Sequence, residues 1–280
     1  MTTATDPVTA LAGEVAAALD RLRQNQPLVH NITNYVSMDI AANALLAIGA
    51  SPAMVHAREE VEEFVAFSGA LVINIGTLST SWVDSMVLAA AAARARGVPW
   101  VLDPVGVGAT RFRNETVARL MEQKPSVVRG NASEILAVAG IMGIAAADSR
   151  PKGVDSTNST DEAAAVAGAL ARETGAVVAA TGAIDFVTDG SQTLRLANGS
   201  PLMARVTAIG CSLSGIVGAF LATTPDRFAA TTAAVAVTGI AGERAAKTAT
   251  LPGSFRVAFI DQLATLDEQA VRETFRLANP

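Results

Sequence analysis

The sequence has little cysteine, few aromatic residues and few charges, and each shortage excludes a class of structure. One cysteine in 280 residues excludes a disulfide within the chain and a cysteine-rich metal site. Aromatic residues make up 4% and charged residues 17% of the chain, with no run of lysine and arginine. Together with a net charge of −5, this composition argues against nucleic-acid and anionic membrane partners. A lone thiol is typical of a reducing compartment, so we expect the cytoplasm.

Long uninterrupted hydrophobic runs are also missing. Two charge-free stretches, residues 64–83 and 206–225, reach the length of about 20 residues that a membrane span needs. Glycine and polar residues interrupt both stretches, which indicates buried elements of a globular protein. The N-terminal segment carries Asp6 and Glu14 without a basic stretch, which predicts an amphipathic helix rather than a signal peptide. We therefore expect no membrane association.

What the sequence does contain is a regular alternation of strand-like and helix-like segments, with 50% hydrophobic residues. Apolar runs predict strands at residues 28–31, 51–55, 70–75, 99–103, 126–129, 177–181, 186–188 and 193–196. Helical spacing predicts helices at residues 36–48, 61–67, 81–96, 112–123, 132–138, 161–173 and over most of the chain from 211 onward. Residues 140–160, rich in Gly, Ser and Asp, are expected to be irregular.

This order of elements predicts the fold class. Alternating strands and helices favour a mainly parallel sheet with helices on both faces. Asp189-Gly190 between two late strands is a hairpin signal, which adds antiparallel strands at one edge. No repeat or linker interrupts the pattern, so we expect one domain over residues 1–280.

Polar residues stand where the predicted strands end. In an open parallel sheet, ligands bind beyond the carboxyl ends of the strands. Most residues there carry amide, hydroxyl, carboxylate or guanidinium groups. The strand-end residues are Asn31, Thr33, Asn34, Met54, Gly76, Thr77, Asp103, Arg129, Asn131 and Thr181. The sequence therefore predicts a binding site at this edge of the sheet.

The stretch RGNASE, residues 129–134, has two interpretations. Arg129 suits a phosphate, and Glu134 with Asp103 can hold a hydrated Mg²⁺, which takes one or two carboxylates plus substrate phosphates. Alternatively, Asn131 caps the next helix and Glu134 completes a capping box, while Asp103 starts a turn with Pro104. The motif by itself leaves both open.

The stretch TAIGCSLSG, residues 207–215, places the single cysteine where a loop meets a helix. Backbone N–H groups at a helix N-terminus attract anions, and Gly210 lets the backbone approach a phosphate. Such a site suits phosphoryl transfer with Cys211 facing the acceptor hydroxyl. The alternative is a small buried side chain, the usual fate of a free cysteine. His30 and His56 lack metal-ligand spacing, and we interpret both as structural.

A series of short blocks covers nearly the whole chain. They read LVHNITNYV (28–36), GASPAMVHA (49–57), LVINIGTL (71–78), LDPVGVGA (102–109), VRGNASEI (128–135), GVDST (153–157), VAATG (178–182), VTDG (187–190) and IGCSLSG (209–215). In this order they strongly resemble the hydroxyethylthiazole kinase family of the ribokinase-like superfamily. The resemblance implies a three-layer α/β/α fold and ATP-dependent phosphorylation of the primary alcohol of 4-methyl-5-(2-hydroxyethyl)thiazole. It also implies Mg²⁺, a role in thiamine salvage, and a homotrimer with sites between subunits.

The resemblance assigns roles residue by residue. It implies a thiazole pocket at Met54, Asn31, Thr33, Gly76 and Ala208. It implies ATP contacts at Arg129, Thr181, Asn131 and Gly210, with Asp103 and Glu134 near the metal. Cys211 stands where most ribokinase-like enzymes carry an aspartate as catalytic base, and thiazole kinases have cysteine. A neutral thiol is a poor base at pH 7, but phosphoryl transfer depends mostly on positioning and electrostatics.

One position departs from the family pattern, and three alternatives remain. The family commonly reads T-G-x-G-C, whereas Ala208 replaces the first glycine here. Alanine tolerates this position only if φ is negative, so the departure bears on the detailed geometry of the anion site and on the substrate fit, but not on the fold. Another ribokinase-like kinase, for hydroxymethylpyrimidine, pyridoxal or a sugar, shares the fold, as does an ATP-dependent dehydratase of hydrated nicotinamide cofactors. Cys211 and the VHNITN block argue against these other kinases. Cys211 also argues against the dehydratase, which should keep aspartate at this position. A non-catalytic trimer that binds thiazole or nucleotide stays open.

Overall fold

A single eight-stranded sheet organises the computed structural model, which describes residues 6–144 and 158–278. The strands are β1 (Leu28–Ile32), β2 (Ser51–Met54), β3 (Ala70–Asn74), β4 (Trp100–Asp103), β5 (Val127–Asn131), β6 (Val177–Thr181), β7 (Asp185–Thr188) and β8 (Thr193–Leu196). Their spatial order is β2-β1-β3-β4-β5-β6-β7-β8. The first six strands pair in parallel, and β7 and β8 are antiparallel at one edge. The predicted sheet is confirmed.

The helices lie on both faces of this sheet. They are α1 (Pro7–Asn25), α2 (Met38–Ile48), α3 (Val61–Phe67), α4 (Thr80–Arg96), α5 (Arg111–Met121), α6 (Ala132–Ile141), α7 (Asn158–Thr174), α8 (Ile209–Leu221), α9 (Arg227–Thr248), α10 (Pro252–Thr265) and α11 (Glu268–Thr274). Helices α6 and α7 both enter the segment 140–160 that is expected to be irregular, so that expectation is wrong for residues 140–141 and 158–160. The GVDST block at 153–157 lies outside the described residues.

The strands alternate their side chains between two hydrophobic cores. Val72 and Val101 pack with α1, α2, α8, α9, α10 and α11 in one core. Their neighbours Leu71 and Trp100 pack with α3 to α7 in the other. Because successive side chains of a strand point to opposite faces, each apolar run serves both cores at once. This arrangement confirms the three-layer α/β/α fold.

Helix α8 explains the charge-free stretch around Cys211. Every residue from Ser212 to Leu221 is buried, and the helix lies against β1, β3 and β4. A Cβ at Gly218 would lie 2.6 Å from Val72 Cγ2, so glycine there lets the helix approach the sheet. Within the described ranges, no helix has the length and apolar character to cross a membrane. The stretch is a buried helix whose N-terminus opens at the carboxyl edge of the sheet.

Candidate active site

Asp103, at the end of β4, is the most buried charged group at this edge, with 0% exposure. Its Oδ2 accepts hydrogen bonds of 2.7 Å from Asn74 Nδ2 and of 2.7 Å from Ser214 Oγ. Arg129 Nη1 lies 3.8 Å from the same oxygen. The other oxygen, Oδ1, is buried and has no hydrogen-bond partner among the described residues. Asp103 therefore has one carboxylate oxygen whose hydrogen-bonding capacity the described residues do not satisfy.

Burial sets the protonation of this carboxyl group. Desolvation raises the pKa of Asp103 to about 6, while Arg129 and the hydrogen bonds from Ser214 and Asn74 oppose the rise, and the charge of Glu134 adds to it. A buried carboxylate without compensation would be neutral at pH 7. The ionised form of Asp103 thus depends on the neighbouring guanidinium.

Arg129, near the end of β5, joins Asp103 to the strands beside it. Its side chain is nearly buried, and Nη2 donates a 2.7 Å hydrogen bond to Thr181 Oγ1 at the end of β6. A Cβ at Gly210 would lie 2.8 Å from Arg129 Nη1. Glycine at the start of α8 therefore makes room for the guanidinium beside the helix N-terminus, where an anion is favoured.

Cys211 is half-buried at the same helix terminus, whereas Ser212 and Ser214 are fully buried. Its Sγ lies 3.5 Å from Asn34 Nδ2. Burial and the charge of Asp103 raise the pKa of the Cys211 thiol, so it is neutral at pH 7. The side chain is therefore a placed, uncharged group at the rim, rather than a fully buried one.

Two asparagines connect Cys211 to Asp103. Asn34 Nδ2 donates to Asn74 Oδ1 at 2.7 Å, and Asn74 donates in turn to Asp103. The N–H of Gly76 donates to the same Asn74 oxygen at 2.9 Å. A Cβ at Gly76 would lie 2.6 Å from Asn34 Nδ2, so this glycine is required for the contact. The result is a continuous hydrogen-bonded row from the thiol to the buried carboxylate.

Sequence reasoning missed the two side chains, Asn74 and Ser214, that donate hydrogen bonds to Asp103. Asn74 is the last residue of β3, whereas the apolar run in the sequence predicts a strand over residues 70–75 that ends at Gly76. The signal was available, since Asn74 is the one polar side chain in ALVINI. Ser214 stands three residues after Cys211 and thus on the same side of α8.

Asn131 and Glu134 form a capping box at the start of α6. Asn131 Oδ1 accepts from the Glu134 N–H at 2.9 Å, and Glu134 Oε2 accepts from the Asn131 N–H at 2.8 Å. Glu134 Oε1 also accepts from the Gly106 N–H at 2.9 Å. The capping interpretation is confirmed, and a ligand role for either residue stays a prediction.

The residues near the end of β1 are engaged within the protein. Asn31 and Thr33 are buried, with Asn31 Nδ2 donating to the Val29 carbonyl at 2.9 Å and Thr33 Oγ1 lying 2.8 Å from Ser37 Oγ. Met54 pairs with Asn31 on the edge strand β2. Two strands, β1 and β3, separate Met54 from Asp103, which at the usual strand spacing means about 14 Å.

The structure thus gathers half of the predicted site residues and places Met54 apart from them. It brings together Asp103, Arg129, Thr181, Gly210, Cys211 and, through Asn74, Gly76. It places Met54 at the far edge of the sheet within one chain.

A cavity of about 550 Å³ opens beside Arg129. Thr181, Gly182 and Gly210 line its polar end, and its apolar wall includes Ala197, Met203, Leu213 and Val235. Asp185 also lines it, and burial raises the pKa of this carboxyl to about 6. This size and lining suit a ligand with one apolar and one anionic end.

Ala208 precedes α8 with φ +65° and ψ 8°, in the left-handed region. The condition under which alanine is tolerated, a negative φ, is therefore not met. The turn into α8 imposes a conformation that glycine adopts without strain and in which alanine has a steric penalty.

Ala208→Gly should raise the free energy of unfolding by about 1 kcal/mol, because it removes the left-handed strain of the alanine. Urea unfolding measures the difference. Ala222→Gly is the matched control, since Ala222 has φ −66° at the other end of the same helix and should lose stability as glycine. A less stable Ala208→Gly variant would contradict the strain.

Comparison with known proteins identifies the family to which this chain belongs. The model of the hydroxyethylthiazole kinase family matches residues 19–269. Hydroxyethylthiazole kinase of Cereibacter sphaeroides is 59% identical over 259 residues, which is 92% of this chain and 96% of that protein. The enzyme of the same name from Rhizobium etli is 54% identical over 261 residues, which is 93% of this chain and 99% of that protein.

Solved structures agree. The structure of a hydroxyethylthiazole kinase protein from Pyrococcus horikoshii OT3 superposes with a TM-score of 0.87 at 43% identity, covering 94% of this chain and 98% of that one. Pyridoxal kinase from Staphylococcus aureus in complex with AMP-PCP and pyridoxal has a TM-score of 0.57 at 16% identity, covering 78% and 88%, which is a likeness of fold. The fold is ribokinase-like, and the chain belongs to the hydroxyethylthiazole kinase family.

Proposed function

We propose that this chain transfers the γ-phosphoryl group of ATP to the primary alcohol of 4-methyl-5-(2-hydroxyethyl)thiazole, a salvage step of thiamine biosynthesis. One observation carries the proposal: the row Cys211–Asn34–Asn74–Asp103 ends beside Arg129 at the mouth of the cavity. Because the reaction consumes ATP and the single cysteine is free, we propose that it takes place in the cytoplasm.

The cavity is the proposed nucleotide site. Its apolar wall suits a nucleobase, while Arg129, Thr181 and Gly210 stand at the end where the phosphates would lie. The guanidinium supplies charge-assisted donors to phosphate, and the start of α8 adds N–H groups and a favourable dipole. We propose the same contact for Asn131, which is exposed at the end of β5.

Mg²⁺ is the proposed metal, and the residues at the site fit it. Asp103 keeps an unpartnered carboxylate oxygen, and Glu134, electrostatically coupled to Asp103, retains lone pairs beyond its two backbone contacts. In the described part of the chain, no three acidic, histidine or cysteine side chains form a metal cage. Two carboxylates completed by phosphates and water are the usual Mg²⁺ arrangement at a kinase site. Bound there, the ion would neutralise charge on the β- and γ-phosphates.

Transfer itself then depends on position. The acceptor oxygen bonds to the γ-phosphorus as the bond from phosphorus to the ADP oxygen breaks, and the alcohol proton passes to a phosphoryl oxygen or to water. The site has to hold the two reacting oxygens in line. Cys211, fixed through Asn34, orients the alcohol, while Arg129 and the N-terminus of α8 stabilise the phosphoryl charge. The neutral thiol acts as an orienting group.

A homotrimer with shared sites is the proposed assembly. Large apolar side chains stand exposed around the β2 edge, including Tyr35 at 67% and Phe67 at 71%. A second copy of the chain on this edge would cover them and bring a Cys211 and an Asp103 of its own toward Met54, which is separated from Asp103 of its own chain by two strands. Thr33, Asn31 and Gly76 would then line the thiazole pocket between the two.

Mixed trimers test this assembly. Met54→Arg and Cys211→Arg chains should each be inactive alone, because each blocks one half of every site. A 1:1 mixture should recover about a quarter of parental activity, since that fraction of interfaces pairs two intact halves. Activity is measured after refolding the two together, with separately refolded chains as the control. Mixed trimers without recovered activity would contradict a shared site.

The function is tested by measuring ADP release. The thiazole alcohol, pyridoxine and hydroxymethylpyrimidine are added in turn to the purified chain with ATP and Mg²⁺. ADP release with the thiazole alcohol alone is expected. ADP release with another alcohol supports the kinase specific for that alcohol. Binding of the thiazole without ADP release supports the non-catalytic trimer that binds thiazole or nucleotide.

A further inference from the structure

The two histidines of the chain connect the residues that follow β2 with β1 and the residue after it. His56 stands two residues after Met54, and its Nε2 lies 3.1 Å from the Thr33 backbone nitrogen and 3.2 Å from the Thr33 oxygen. Its ring also forms a hydrogen bond with the Met54 backbone. His30 Nε2 lies 2.8 Å from the Val55 oxygen. The two rings therefore attach residues 54–56 to the end of β1.

Both rings are neutral at pH 7. Burial lowers the pKa of His30 to about 4 and lowers the pKa of His56 as well. A neutral imidazole has one donor and one acceptor nitrogen. In His56 this allows Nε2 to accept the Thr33 N–H while the other nitrogen donates to the Met54 backbone. One ring thus connects two residues of the proposed thiazole pocket.

Aromatic neighbours fix the plane of the His56 ring. It stacks on Trp82 of α4 with 4.4 Å between ring centroids. The Tyr35 ring packs on the same Trp82, with 4.6 Å between ring centroids. Helix α4 belongs to the layer opposite α8, so the aromatic contacts of His56 come from the face of the sheet that does not carry Cys211. A ring fixed in this way can hold the backbone in turn.

Strand β2 needs this attachment. It has four residues, and it pairs on one side with β1, up to Met54 and Asn31. Beyond Met54 the strand ladder ends, and the side-chain contacts of the two histidines continue the connection. Without them, the position of Met54 relative to Thr33 would rest on a short edge strand, which frays readily.

We propose that His56 is a positioning residue that fixes Met54 and Thr33 and thereby sets affinity for the thiazole alcohol without contributing to ATP binding. The inference rests on the proposed function. His56 acts through the backbone of its two partners and takes no part in phosphoryl transfer.

The test compares His56→Leu, which keeps the bulk and removes both hydrogen bonds, with His56→Gln, which restores a donor and an acceptor. His56→Leu should raise KM for the thiazole alcohol by about 10-fold, the effect of losing one buried hydrogen bond, and leave KM for ATP within about 2-fold. Calorimetry should show the same split in Kd for each ligand alone. His56→Gln should recover most of the loss. If His56→Leu does not fold, His56→Asn replaces it, because its amide is too short to reach Thr33.

Each result decides the inference. Unchanged thiazole KM and Kd in His56→Leu would overturn it, and so would equal losses for both ligands, which indicate general destabilisation. A parent chain that neither binds nor phosphorylates the thiazole alcohol would overturn the proposed function as well. A parent that phosphorylates it, with no effect of His56→Leu, would overturn this inference alone.

Discussion

Arg129→Ala should lower kcat/KM for ATP by about 10³-fold, because it removes two charge-assisted contacts with the phosphates. It should also destabilise the chain. The strand-end position alone predicts a guanidinium that serves the ligand and leaves folding untouched. The structure corrects this expectation, since Arg129 is 8% exposed and is the neighbour whose charge lowers the pKa of Asp103. Removing it leaves a buried carboxylate uncompensated, at a cost of about 3 kcal/mol.

The loss of stability should depend on pH in a defined direction. Burial already raises the pKa of Asp103 to about 6, and removal of Arg129 raises it further. A raised carboxyl pKa costs stability above the pKa of the unfolded chain, about 3.9, because the folded group then either holds a proton that the unfolded chain has released or ionises in a buried site. The parent and the variant differ only above the parent's pKa of about 6, where the parent ionises and the variant still holds its proton. The difference between parent and Arg129→Ala should therefore be small near pH 5 and grow toward pH 8. Urea unfolding across this range measures it.

A double variant separates the two effects. Asp103→Asn with Arg129→Met removes both charges, so its stability should return to within about 1 kcal/mol of the parent. Its activity should stay low, because neither the phosphate contact nor the proposed metal carboxylate is present. A double variant as unstable as Arg129→Ala would show that packing, rather than the charge pair, holds this region together.

The fold was predictable because its signals are local. Each of the predicted strands forms, and Gly49 and Gly97 end α2 and α4 in the left-handed conformation that glycine favours. The strand-end rule also places Asp103, Arg129 and Thr181 at one edge of the sheet, where the structure brings them into contact. These features depend on periodicity and on residues adjacent in the chain, which a sequence displays directly.

The remaining parts of the site depend on contacts between distant segments. Arg113 on α5 donates to the carbonyl oxygens of Ile75, Gly76 and Val105 and so joins the loops after β3 and β4. In the sequence it is one arginine of an ordinary amphipathic helix. The hydrogen bond from Ser214 to Asp103 crosses 111 positions. Such contacts follow from the sheet order and the placement of α8, which periodicity does not determine.

Cys211→Ala should be slow but active, with kcat reduced by about 10- to 100-fold, or about 1.4 to 2.7 kcal/mol of transition-state stabilisation. The thiol is neutral because burial and Asp103 raise its pKa, so its removal takes away orientation of the alcohol and no base. Cys211→Ser is the matched control, since a hydroxyl of similar size should recover part of the rate.

Cys211→Asp should keep activity and exceed the parent above neutral pH. The surroundings that raise the thiol pKa also raise the pKa of a carboxyl group, which starts at about 3.9, so the introduced base lies closer to neutral pH. The cost is repulsion of Asp103 and of the incoming phosphate, which Arg129 and the N-terminus of α8 offset. Its rate should fall as the pH drops through the raised pKa of the new carboxylate, because the group then takes up a proton and is no longer a base. The measurement is kcat at saturating substrates. An inactive but folded Asp variant, together with an Ala variant as fast as the parent, would mean that Cys211 only packs and that transfer occurs elsewhere.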